Sequence, residues 1–97
     1  MLRLDGVEHR CRLTLGTLAE LEAGLESGTL IGLVQRFEEG RFTAADLIAV
    51  LAAGLRGGGW QGDRQALAAS EIGGGVIEAA AVAARLLARA FALPGEG

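Results

Sequence analysis

Apolar residues recur along this chain with two different periods. From Val7 to Leu15 they alternate, with Val7, His9, Cys11, Leu13 and Leu15 on one side and Glu8, Arg10, Arg12 and Thr14 on the other. A period of two is that of a strand with one buried and one wet face. Leu2-Arg3-Leu4 precedes it across Asp5-Gly6, a pair that readily takes the positive φ values of a type I′ turn. The expectation is a β-hairpin over about 2–15, with Leu4 opposite Val7 and Arg3 paired with Glu8 across the strands.

After Leu15 the spacing lengthens to that of helices. Thr17-Leu18-Ala19-Glu20 has the form of a capping box, which predicts a helix over about 17–26. Leu18, Leu21 and Leu25 are its apolar stripe, Glu20, Glu22 and Glu26 its wet side, and Ser27-Gly28 its stop. Thr29 caps a second helix over about 29–39, with Leu30, Leu33, Val34 and Phe37 inward and Gly40 as a left-handed stop. Thr43 caps a third over about 43–56, with Asp46 favouring the helix dipole and Leu47, Ile48, Leu51 and Leu55 inward. A short helix over about 63–70 lies between Gly57–Gly59 and Gly73–Gly75, both read as linkers. The last helix, about 76–92, aligns Val76, Ile77, Ala80, Ala83, Ala84, Leu87 and Phe91 on one broad face before Pro94. The fold class is therefore α+β, mainly α: an N-terminal β-hairpin packed on a bundle of four to five short helices.

Ninety-seven residues fit a single domain over 1–97, with one small core and modest stability. Covering a further apolar face with a partner would add to that stability, so a homo-oligomer is expected. The net charge of −3 and scattered arginines give no basic face for nucleic acid. A lone cysteine forms no internal disulfide, and the first residues lack the pattern of a signal peptide. Val76–Leu93 is apolar enough to suggest a membrane span, but Glu78, Arg85 and Arg89 would each cost about 2–3 kcal/mol there. It reads as a soluble helix, and the chain as cytoplasmic.

Candidate chemistry fails residue by residue. His9 and Cys11 share a strand face, but structural zinc needs four ligands and the chain has no other His or Cys. The same shortage removes a Cys-His nucleophile, leaving Cys11 as a small core residue. Glu38 and Glu39, adjacent on a helix, diverge by about 100° and make no acid-base dyad. The glycine clusters lack the Lys-Ser/Thr of a phosphate loop. The helix after Gly40-Arg41-Phe42 superficially suggests a helix-turn-helix reader, yet offers alanine where base-reading side chains belong. No catalytic, cofactor-binding or metal-ligating residue is assigned. What remains is contact. Trp60, set in a glycine-rich loop, either folds onto the core or anchors a partner. Phe42, with the alanine side of the third helix, Ala45, Ala49 and Ala52, either permits close helix packing or offers a flat face to another subunit.

The block Arg12-Leu13-Thr14-Leu15-Gly16-Thr17-Leu18-Ala19-Glu20-Leu21-Glu22 resembles the strand-to-helix block of a tail protein family of phage-like gene transfer agents, also known as a phage tail tube family. A second block, Gly40-Arg41-Phe42-Thr43-Ala44-Ala45-Asp46-Leu47 through Gly54-Leu55-Arg56-Gly57-Gly58-Gly59, is similar in cap, helix and glycine stop. The likeness extends over about Leu2 to Phe91. It implies a non-enzymatic tail factor without cofactors, cytoplasmic or particle-associated, like the tail assembly chaperones that coat the tape-measure protein until tube subunits replace them. The implied partners are the tape-measure protein, the major tail protein and further copies of the chain, with no nucleic acid and no membrane. The family's tube label implies instead a structural tail tube component. A tube subunit usually carries a β-sandwich that closes into a ring, which one hairpin does not supply. A small DNA-binding regulator is a third reading.

Overall fold

The computed structural model describes residues 2–25 and 29–91. Two antiparallel strands, β1 (Leu2–Leu4) and β2 (Val7–His9), are followed by five helices: α1 (Leu15–Ala23), α2 (Leu30–Glu38), α3 (Ala44–Gly57), α4 (Arg64–Ala69) and α5 (Gly75–Ala90). The architecture is mainly helical with an N-terminal hairpin, as the two periods imply. Asp5 and Gly6 turn the hairpin at φ 49° and 84°, pairing Leu4 with Val7 and Arg3 with Glu8. The side chains of Arg3 and Glu8 meet at 3.4 Å.

The second strand is shorter than its alternation predicts. β1 has only three residues, and its first, Leu2, already pairs with His9, so the chain beyond has no strand to bond. It turns instead onto the end of α3, where the Arg12 N–H donates to the Gly54 carbonyl at 2.9 Å. That approach needs glycine. A β-carbon on Gly57 would overlap the Arg12 carbonyl oxygen, and one on Gly58 the Arg10 carbonyl oxygen. Of the residues expected on the buried face, Leu15, left beyond the shortened strand, is 85% exposed, and Val7, although within β2, is 57% exposed. Gly57 and Gly58 are thus a packing surface, not a linker, while Gly59 stands in open space. Gly73 is likewise engaged: its N–H donates to the Arg3 carbonyl at 2.9 Å, beside a bridge between Leu4 and Ile72.

The first helix starts earlier than its expected box. Thr14 is the N-cap, and its hydroxyl accepts from the Thr17 N–H at 3.2 Å while the Thr14 N–H donates to the Thr17 hydroxyl at 2.8 Å. Thr17 is therefore the third helical residue of the box and is buried. Glu20, expected to reach back to the cap, pairs with Arg56 of α3 at 3.2 Å. The helix ends at Ala23 with Gly24 as cap; the expected Glu26 continuation and Ser27-Gly28 stop lie outside the described residues, as do Ala92 and Pro94 at the chain's end.

Helices α2 and α3 begin at the expected caps, Thr29 and Thr43, and Asp63, read only as the start of the short helix, is the cap of α4. Gly40 has the left-handed φ of 70°. α3 is the central element, with every residue from Ala49 to Leu55 buried. It packs on α1, α4 and α5. Its alanine side lets neighbours come close: Ala49, Ala52 and Ala53 are buried, and Leu86 of α5 fills the space where Gly54 has no side chain. That contact sets the rotation of α5. The residues it buries are Ala79, Val82, Ala83, Leu86 and Leu87, whereas Val76, Ile77 and Phe91, expected inward, are 71%, 86% and 40% exposed. In a helix this rich in alanine, hydropathy separates the two sides weakly, and two leucines and a valine outweigh the terminal pair.

Candidate functional site

The polar groups that the fold brings together are structural. Arg36 of α2 makes a bidentate pair with Asp46 of α3, Nε to Oδ2 and Nη2 to Oδ1, both at 3.0 Å. Asp46 also accepts from the Thr43 N–H at 3.0 Å, while its own N–H donates to the Thr43 hydroxyl. One carboxylate thus closes a capping box and ties two helices together. The hydrogen bond from Arg36, opposed by partial burial and aided by the Thr43 N–H, holds the Asp46 carboxyl below the usual carboxylate range. A fully bonded, ionised carboxylate of this kind anchors; it is not poised to exchange a proton.

Cys11 is half-buried between the hairpin and α5, and its thiol lies 3.9 Å from the His9 carbonyl oxygen. Burial pushes the thiol pKa up, the reverse of what activates a nucleophile. Among the described residues, no group of three or more His, Cys, Asp or Glu side chains converges as a metal site would require.

The five residues singled out for partner contact are dispersed. Phe42 is half-buried and stacks on Phe37 of α2, with ring centroids 4.5 Å apart and planes within 7°. Ala45, exposed, and Ala49, buried, line a shallow cleft of about 280 Å³ with Arg36, Asp46 and Arg64. Ala52 lies inside the core. Trp60 stands at the other end of α3, where its N–H donates to the Leu55 carbonyl at 2.9 Å and its indole folds back over Gly62. It packs half-buried on the core.

Besides Leu15 and Val7 near the N-terminal end, the large apolar groups open to solvent lie on α2 and at α5. Ile31 of α2 is 65% exposed, and Val76, Ile77 and Phe91 mark the outer side of α5. Between these helices runs a shallow, mainly apolar groove of about 150 Å³, lined by Val34, Phe37, Glu38, Ala84, Leu87 and Ala88. A surface of this composition binds other apolar surfaces. Reading α5 by its total hydropathy placed these residues inside; the signal that distinguishes them is that Leu86 and Val82 lie opposite Ile77 around the helix.

No curated protein and no solved structure matches the chain. A family described as "Phage tail tube protein, GTA-gp10" matches residues 1–93, taking in the hairpin and all five helices. That family is structural, in keeping with polar groups spent on caps and ties between helices. The chain belongs to this family of gene transfer agent and phage tail tube proteins and is a phage tail component.

Proposed function

We propose that this tail protein acts as an assembly factor of the chaperone kind, holding the tape-measure protein or tube subunits by apolar contact while the tail is built. The observation that carries the reading is the balance of strand and exposed helix. Among the described residues the only strands are two of three residues each, too little for the sandwich of a ring-closing tube subunit. The helices, in contrast, leave Ile31, Ile77 and Phe91 uncovered. Phe42 and Ala45 near the start of α3 and Trp60 beyond its end are the contacts we assign to partner proteins, with Ala49 and Ala52 buried in the core between them. The chain would act in the cytoplasm and on the growing particle; no described helix is long and apolar enough to cross a membrane.

A second reading, a structural tube component, is favoured by the family's own description. Mass spectrometry of purified particles separates the two. An assembly factor is scarce or missing in finished particles while its loss leaves the tape-measure protein insoluble. A stoichiometric, many-copy band in the particle would overturn the chaperone reading in favour of the tube.

A further inference from the structure

The outer side of α5 carries a second repeat that the monomer does not use. Ile77, Ala81, Ala84, Ala88 and Phe91 follow one another at steps of four, three, four and three residues, the spacing of the seam between two supercoiled helices. Within one chain this seam faces solvent: Ile77 is 86% exposed, Phe91 40%, and Ala84 and Ala88 are also exposed. The buried side of α5, through Ala79, Val82, Ala83 and Leu86, belongs to the core on the opposite side of the helix.

We propose that this seam pairs with the same seam of a second copy, the two α5 helices running antiparallel about a twofold axis between Ala81 and Ala84. The sequence is self-complementary in that arrangement and in no parallel one. Ala81 meets the partner's Ala84, Ala84 the partner's Ala81, and Ile77 the partner's Ala88, so each large residue lies against a small one. Three alanines at the centre let the helices approach closely. The partner helix settles into the groove between α5 and α2, against Val34 and Phe37.

Charge selects the direction. On one flank of the seam stand Glu78 and Arg85, seven residues apart, joined within the chain at 3.6 Å and each about half exposed. An antiparallel partner brings the same flank alongside in reverse order, so Glu78 of each copy faces Arg85 of the other. In a parallel pair this flank would face the other one, where Ala80 and Leu87 carry no charge. The inference concerns a second copy only and stands whether the protein is a chaperone or a tube component.

The test uses the full chain and analytical ultracentrifugation. The unaltered protein is expected to dimerise reversibly at high micromolar concentration. Ala84→Glu puts two carboxylates on the axis and should weaken the dimer by at least about tenfold, with an unchanged helical circular dichroism spectrum because the site is exposed in the monomer. Glu78→Arg and Arg85→Glu should each be mainly monomeric alone, yet form a heterodimer when mixed, since each then meets an opposite charge at both ends. A strictly monomeric native chain, a dimer indifferent to Ala84→Glu, or single variants that do not recover on mixing would each overturn the proposal.

Discussion

At the scale of single residues, the side chains that matter are those that fix the geometry of others. Asp46 is the clearest case, since it serves a cap and an interhelical ion pair at once. Replacing Thr43 by Ala removes the hydroxyl half of the box and should cost about 1 kcal/mol, lowering the melting temperature by about 4–8 °C. Asp46 also sets a pH dependence. Its folded pKa lies below the unfolded value of about 3.9, so its stabilisation is complete above that value and is lost as pH falls through it toward the folded pKa. Acid titration of Asp46→Asn, followed by circular dichroism, should give a less stable protein at neutral pH and a shallower loss of stability below pH of about 4. In the core, Leu33 is fully buried, and Leu33→Ala should cost about 2–5 kcal/mol in urea denaturation.

At the scale of elements, most boundaries set by one local device were legible, the Thr14–Thr17 box that starts α1 being the exception. The Asp5-Gly6 turn, the Thr29, Thr43 and Asp63 caps and the Gly40 stop depend on neighbours within four residues, and the sequence contains all of them. The larger errors fall where a distant contact decides. Alternation from Val7 to Leu15 is a genuine strand pattern, but the short β1 offers no partner past Leu2, and α3 captures the chain through Gly54, Gly57 and Gly58. The rotation of α5 depends on Leu86 finding Gly54, a meeting of residues far apart in sequence. The glycine surface yields its own prediction. Gly58→Ala, which in a flexible linker would be neutral or mildly stabilising, should destabilise by more than about 1 kcal/mol because its methyl meets backbone. Thermal denaturation beside Gly59→Ser, whose surroundings are open, would separate overlap from the cost of a side chain at positive φ.

At the scale of the whole molecule, composition argued against chemistry more readily than it located contact. One His and one Cys fall short of the four ligands of a structural zinc site, and that could be read from the sequence. Which apolar residues stay outside could not, because alanine and leucine fill both sides of the last helix and only packing against α3 chooses between them. Trp60 illustrates the same limit: its glycine-rich setting suits either a ring folded onto the core or an anchor for a partner, and the structure packs the ring half-buried on the core. A small protein with so much uncovered hydrocarbon gains stability by mass action when it associates. The melting temperature should therefore rise with protein concentration, and calorimetry over a hundredfold range checks it; a constant value would mean that the outer faces stay solvated.

The hairpin has a consequence for how this fold is reached during synthesis. Asp5 exchanges hydrogen bonds with Glu71, 66 residues away, through its backbone N–H at 2.8 Å and its carboxylate at 2.9 Å. Strand β1 is made well before Glu71, Ile72 and Gly73 and waits for them before its edge is satisfied. Until then that edge is open to foreign strands. A truncation that ends ahead of Glu71 should keep several helices and yet precipitate, a defect of birth order and not of helix strength.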